Sequence, residues 1–395
     1  MPTGADGRGR MPRLLGVLGA ALLLAVVAPP ALAAPAGDVR LQHAADAAFA
    51  PFLDSASRAR QAWMRRTYVR MRAYAPYFDS HLSWYPNAWA YKDLYAVYAD
   101  EREDGSHLPY VLRDASGRRL YIPWGCDGSG CPQYAGDPGS PAFRAMWVRE
   151  AKRQLAAGYR GLYVDDVSTL PMVGDADGRL VLPIDPRTGH TMTKHAWRRY
   201  VTDFVAQIRR ELPGIEIVHN YLWWAGPPSD PPVRRQLESA SWLLVEHAFL
   251  DSGLTGGNGP SSYAAFMRHM DAVHRMGRRV VLESHTGSPG RRITLLAGYL
   301  IVNNGRDLLS TGFGTDPPRV WRGFRLRLGR ALGRRYRWRG VWRRDFRRGT
   351  ALLSDPGAPR RRLRIRGRKI SGKRVRSVVL GDRSGAVLLR RSRRR

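Results

Sequence analysis

The segment Gly161-Leu162-Tyr163-Val164-Asp165-Asp166-Val167 runs from apolar residues straight into two adjacent carboxylates. Its composition reads as a buried strand, and side chains alternate along a strand, so Leu162 and Val164 share one face while Tyr163 and Asp165 share the other. In a barrel of alternating strands and helices the C-terminal strand ends face the active site. Asp165 is therefore expected to point into a central cavity, with Asp166 at the start of the loop. The plainer use of such a pair is to cap a turn or to meet one of the many arginines. Polar residues recur at the ends of later apolar runs: His219 and Asn220, Glu246 and His247, Glu283 and His285.

Two carboxylates on opposite sides of a pocket are the minimum apparatus for breaking a glycosidic bond, one protonating the leaving oxygen and the other serving as nucleophile or base. Asp165 and Glu246 suit those roles. A short Asp near donors such as Asn220 and Lys92 stays ionised, whereas a Glu ending an apolar strand is raised enough to act as an acid. Asp166, Asn220 and Glu283 are assigned supporting parts, Glu283 serving equally well in a structural salt bridge. Tyr91, Lys92, Asp93, Tyr163, His219, Trp223 and Trp224 are the candidate substrate contacts. Sugar rings present apolar C–H faces that stack on aromatic rings, and Trp223 and Trp224 fall in a loop where core packing is less expected. Lys92 and Asp93 also fit a buried ion pair.

The elements that position these residues follow from apolar spacing. Strand-like composition occurs at residues 66–74 and 88–98, and helical spacing at 141–157, where Phe143, Trp147, Ala151 and Leu155 share a face. Residues 194–212 place Trp197, Tyr200, Val201, Phe204, Val205, Ile208 and Leu212 on one stripe. Strands at 215–220, 242–246, 280–284 and 307–309 then alternate with helices near 233–239, 261–276 and 295–302. Such alternation predicts a (β/α)8 TIM barrel, with the Asp165 strand fourth and the Glu246 strand sixth. Short alternating segments after residue 349 predict a small C-terminal β-rich appendage. The expected organisation is a signal peptide at 1–36, the barrel at 37–348 and the basic appendage at 349–395.

The signal-peptide reading rests on Arg8, Arg10 and Arg13, an apolar run over residues 14–27 and the small residues around Ala31-Leu32-Ala33. No later run reaches the ~20 apolar residues of a spanning helix, so no transmembrane segment is expected after it and the protein is read as secreted. The only cysteines, Cys126 and Cys131, are read as a local disulfide, as an exported chain permits, and they are too few for a Cys-only metal site. Of the net charge of +32, the stretch from Val320 onward carries 28 Lys or Arg against 3 Asp. That region either holds an anionic surface such as cell-wall polymer, acidic polysaccharide or lipid headgroups, or is a solvated face with an arginine bias. Export argues against nucleic acid as its partner.

The order strand-Asp-Asp, strand-His-Asn, strand-Glu resembles the secreted glycoside hydrolases of hypothetical glycosyl hydrolase family 15, and more distantly the endo-α-1,4-polygalactosaminidases. Trp84-Tyr85-Pro86, Ala90-Tyr91-Lys92-Asp93, Tyr121-Ile122-Pro123-Trp124-Gly125-Cys126, Cys131-Pro132-Gln133-Tyr134-Ala135 and Trp342-Arg343-Arg344-Asp345-Phe346 carry the resemblance along most of the chain. It implies a TIM-barrel polysaccharide hydrolase without a cofactor, whose catalytic pair is Asp165 and Glu246. The polygalactosaminidases typically carry Asn-Pro-Gly between the pair; His219-Asn220-Tyr221 stands here, so the substrate stays open. Two rivals compete with this reading. A metal-dependent polysaccharide deacetylase needs closely spaced histidines, and His190 with His195 and His269 with His274 are each five apart. A non-catalytic cell-wall or carbohydrate-binding protein needs only the aromatic residues and the basic tail.

Overall fold

The computed structural model describes residues 34–45, 50–98, 108–126, 130–284, 287–310 and 320–390. Residues 1–33 of the expected signal peptide, and His285, lie outside the described residues. Eight parallel strands close on themselves in sequence order: β1 (Leu41–Ala45), β2 (Tyr68–Ala73), β3 (Ala88–Asp93), β4 (Gly161–Asp165), β5 (Glu216–Asn220), β6 (Trp242–Val245), β7 (Arg279–Glu283) and β8 (Leu308–Ser310). The architecture is a (β/α)8 TIM barrel with an additional β-rich part at its C-terminal end. Asp165 ends the fourth strand and Glu246 follows the sixth. Strand β1 has no counterpart in the sequence reading, because Leu41-Gln42-His43-Ala44-Ala45 lacks the β-branched and aromatic residues that mark strands. The strand expected at 88–98 breaks at Asp93, whose carboxylate accepts from the amides of Tyr95 and Ala96 at 2.8 and 2.6 Å. Ala96–Tyr98 then pairs antiparallel with Gln133–Ala135 outside the barrel.

Besides the single turn Ala50–Asp54, the α-helices among the described residues are α1 (Arg58–Thr67), α2 (Pro141–Ala156), α3 (Lys194–Glu211), α4 (Pro231–Ser239), α5 (Tyr263–Arg275) and α6 (Pro289–Val302). Ser57, Ser140, Thr193, Ser262 and Ser288 cap five of them through their side-chain oxygens, and proline at the first turn of α2 and α6 gives up no hydrogen bond. Helix α6 starts earlier than the expected residue 295 because Arg291 and Arg292 in its first turn conceal the apolar period. None of the helices among the described residues is long and apolar enough to cross a membrane.

The barrel interior is filled by Trp89, Tyr163, Val218, Trp242, Leu244, Val281 and Leu308, while Leu162 and Val164 join the core facing the helices. The alternation expected for β4 holds around the whole barrel. At the N-terminal end of the barrel Arg70 clasps Glu216 through bonds of 2.8 and 2.7 Å, with the Trp89 indole donating to the same carboxylate.

An antiparallel sheet follows β8 and the short 3-10 helix Arg322–Arg325. Its strands are β9 (Tyr336–Trp338), β10 (Val341–Phe346), β11 (Gly349–Leu353), β12 (Arg361–Lys369), β13 (Arg374–Leu380) and β14 (Gly385–Leu389), in the order β9-β10-β11-β14-β12-β13. The sheet thus begins at Tyr336, before the boundary at 349, since arginines interrupt the apolar alternation of its first strands. It covers α6: Arg344 donates to the carbonyls of Leu300, Ile301 and Asn303 at 3.0, 3.1 and 2.8 Å, satisfying the helix C-terminus. A Cβ on Gly385 would stand 2.8 Å from that of Ala297, so only glycine permits this approach. Phe346, Ala351, Leu353 and Val387 belong to the same apolar core as the barrel helices.

Candidate active site

Asp165 is the last residue of β4, and the chain turns at once because Asp166 takes a left-handed φ of 52°, a conformation that Asp tolerates better than most residues. The turn aims the Asp166 amide back at Asp165 Oδ1, 3.0 Å away. One strand along, Asn220 donates from its side-chain nitrogen to the same oxygen at 2.6 Å and to Glu246 Oε1 at 3.1 Å. One amide thereby ties the two carboxylates together, and the two oxygens it touches are separated by no more than the sum of those bonds. Beyond Glu246 the chain doubles back through His247 and Ala248, both left-handed with φ of 59° and 38°. Each such residue costs about 1–3 kcal/mol and persists where its surroundings hold it. Arg383, in the turn between β13 and β14, supplies a hold by donating to the carbonyls of Asp251, Ser252 and Leu254 in the following loop.

A cavity of about 520 Å³ opens at this end, lined by Asp166, Asn220 and Glu246 and walled by Trp124, Trp223 and Trp224. Trp124 and Trp224 are 56% and 51% exposed, so their faces are free for a ligand, while Trp223 is buried edge-on against Phe266 and His269. Cys126 and Cys131 form a disulfide in the loop that carries Trp124.

Below the carboxylates lies Arg72, 1% exposed, which donates to the Tyr163 hydroxyl at 2.6 Å and ion-pairs Glu283 at 3.6 Å. Burial opposes its charge, but Tyr163, Glu283 and Asp165 around it hold the guanidinium protonated. Glu283 also accepts from Ser310 at 2.7 Å. The Glu246 carboxyl is pushed up to about 7, by burial first and then by the negative charges of Asp165 and Glu283, against the opposing pull of Arg72 and Asn220. Although hemmed in by protein, its side chain is open to the mouth; water filling the mouth tempers the rise, and a bound sugar strengthens it. A second carboxyl pair lies alongside. Burial raises both Asp93 and Asp166, Asp93 also through the charge of Asp165 and Asp166 through those of Asp93 and Asp165. A hydrogen bond between the two holds Asp93 down and Asp166 up, so the pair retains a proton on Asp166, while the Trp124 indole donates to both Asp166 oxygens at 3.0 Å.

The structure thus brings together Asp165, Asp166, Asn220, Glu246, Trp223 and Trp224. Tyr91 lies half-buried beside them, stacked on Tyr163 at 5.8 Å and against Tyr74 at 4.6 Å. Tyr163 is fully buried beneath the mouth, and Glu283 is engaged by Arg72 and Ser310. Lys92 and His219, expected as substrate contacts, do not reach the mouth. Strand parity turns both outward: Lys92 pairs with Glu150 on α2 at 2.8 Å, and His219 is fully buried, its pKa lowered to about 3 by burial. Lys92 therefore gives nothing to Asp165, whose donors are Asn220 and the Asp166 amide. Asp93 faces Asp166 and the amides of its own turn. Sequence reasoning missed Arg72, although it alternates with Met71 and Ala73 on a strand already recognised, and Arg383, which nothing local marks. Among the described residues no group of three or more His, Cys, Asp or Glu is arranged to hold a metal ion.

Fold and site together define a (β/α)8 barrel whose mouth carries two carboxylates tied by one amide between exposed tryptophans. No protein-family model matches the chain, and no curated protein does. Solved structures similar to it include the glycoside hydrolase domain of PelA from Pseudomonas aeruginosa, at 17% identity over 70% of this chain and 97% of that one, with a TM-score of 0.41. Ega3 of Aspergillus fumigatus, in complex with galactosamine, matches at 9% identity over 71% and 93%, with a TM-score of 0.39. An α-galactosidase of Thermus thermophilus matches at 14% identity over 79% and 66%, with a TM-score of 0.45. Function therefore rests on the geometry of the mouth.

Proposed function

We propose that this chain is a glycoside hydrolase that cleaves O-glycosidic bonds of a polysaccharide with retention of configuration, using Asp165 as nucleophile and Glu246 as acid/base. The Asn220 amide shared between Asp165 and Glu246 is the observation that carries the reading. It brings the nearest oxygens of the two carboxyl groups close together, which supports the ~5–5.5 Å spacing of a retaining pair over the ~6.5–9.5 Å of an inverting one. Glu246, protonated near neutrality, gives its proton to the leaving oxygen while Asp165 attacks the anomeric carbon and forms a glycosyl ester. Esterification removes the Asp165 charge, which is one of the causes holding the Glu246 pKa up. Glu246 thereby becomes a better base for the water that releases the sugar and restores both carboxylates.

Trp124 and Trp224 offer apolar faces on the rim for sugar rings. Export is part of the same reading: it is supported by the basic, apolar and small-residue order of the first residues and by the disulfide. The test is release of reducing ends from a broad polysaccharide panel, with polymers of galactosamine included because of the sequence resemblance, together with the anomer first seen by NMR. Activity in the unsubstituted chain, lost in Asp165→Asn, is expected, with the product first appearing in the substrate's own configuration. No product from any member of a panel on which a comparable enzyme works would falsify the reading.

A further inference from the structure

Strand β12 alternates Arg362, Arg364, Arg366 and Arg368 with Leu363, Ile365 and Gly367, and these four arginines are exposed. Its partner β13 sets Arg374 directly opposite Arg368, and a bulge between Arg364 and Gly367 places Ile365 and Arg366 against Arg376. Like charges facing each other across an antiparallel pair destabilise it. Three arginines of the sheet are matched to acids: Arg337 to Asp355, and Arg343 and Arg390 to Asp345. Among the described residues Arg366, Arg368, Arg374 and Arg376 have no carboxylate. With Arg390, they line a groove of about 760 Å³ whose other lining residues are Gly367, Val375 and Leu389. The fold thus bears a cost of like-charge repulsion at this pair of strands and, among the described residues, has no carboxylate there to relieve it.

We propose that this groove binds a linear acidic polysaccharide, whose carboxylate or phosphate groups are held by Arg366, Arg368, Arg374 and Arg376. Alternate residues of a strand lie ~6–7 Å apart, which suits charges repeated along a polymer better than a single ion. Guanidinium groups grip carboxylate and phosphate in bidentate fashion. The groove has no aromatic residue in its lining, and so lacks the stacking platform that single-stranded nucleic acid uses. Walls of arginine on two sides enclose a chain, whereas a bilayer presents a plane. The next turn of the same sheet carries Arg383, which grips the loop beyond Glu246, so a polymer held here is held by the structure that braces the mouth. The choice of a polysaccharide among polyanions rests on reading the barrel as a glycosidase.

The experiment uses the full chain carrying Asp165→Asn, so that no probe is cleaved. It measures affinity for polygalacturonate, a phosphomannan, neutral dextran, a single-stranded DNA oligomer and phosphatidylglycerol vesicles. One or both acidic polymers bind and dextran does not, and the tighter of the two tells carboxylate from phosphate. Combining Arg366→Ser, Arg368→Ser, Arg374→Ser and Arg376→Ser lowers that affinity at least about tenfold and flattens its salt dependence. Arg374→Glu puts opposite charges across the pair with Arg368, so the melting temperature rises while polymer affinity falls, a combination that misfolding cannot produce. Undiminished affinity in the fourfold variant overturns the proposal, as does tighter binding to the DNA or the vesicles than to either polymer. Binding by a chain whose unsubstituted form hydrolyses nothing supports the groove and counts only against the catalytic reading.

Discussion

Glu246 is the residue whose protonation decides what the mouth can do. Its pKa of about 7, set by burial and by Asp165 and Glu283, means that the acid form is present below neutrality and lost above it. The expected profile of kcat/KM therefore has a falling limb as pH rises through about 7. The same raised carboxyl contributes stability that is complete below the ordinary Glu range and disappears as pH rises through about 7, because the folded state holds the proton longer than the unfolded one. Glu246→Gln should lower kcat on polysaccharide by about 10²–10⁴ and remove the limb, and substrates whose leaving groups need no proton should lose far less. A limb that persists in Glu246→Gln assigns the acid elsewhere, with the Asp93 and Asp166 pair next in line. Asp165 was legible in the sequence through strand parity. Parity applied equally to residues 91–93 and 218–220 places Lys92 and His219 on the outside; grouping residues by nearness in sequence put them in the pocket.

Among the elements, the loop after β6 shows how a distant strand turn serves a strained site. His247 and Ala248 hold left-handed conformations, and Arg383 donates to three carbonyls of the loop that follows them. Arg383→Ala should relax the loop, lower kcat/KM by about tenfold and shift the falling pH limb, with Arg383→Lys recovering part of the loss. Equal kinetics and an unmoved limb in Arg383→Ala would show that the loop holds its shape without this grip. Elements with a full apolar stripe, α3 above all, were readable from their residues, as was β4 from its run into two carboxylates. Strand β1 and the first strands of the C-terminal sheet were not. Their short or arginine-interrupted sequences become strands only because neighbours pair with them, and pairing between Leu41 and Leu309 has no local signal.

At the scale of the molecule, barrel and C-terminal sheet share one apolar core, since Leu353 and Val387 lie in the same cluster as Leu296 and Leu300 of α6. A chain ending at residue 348 should consequently fail to yield a soluble, cooperatively melting barrel, because the α6 face would meet water. Recovery of a soluble and active fragment on expression would show that the barrel stands alone. The covering of α6 also bears on the timing of synthesis. A chain made from its N-terminus outward has all eight barrel strands in hand by Ser310, yet it carries α6 uncovered until β14 has emerged. Native burial of that helix is thus deferred until the sheet has been made, and through that interval the growing chain keeps an apolar helix face open to water.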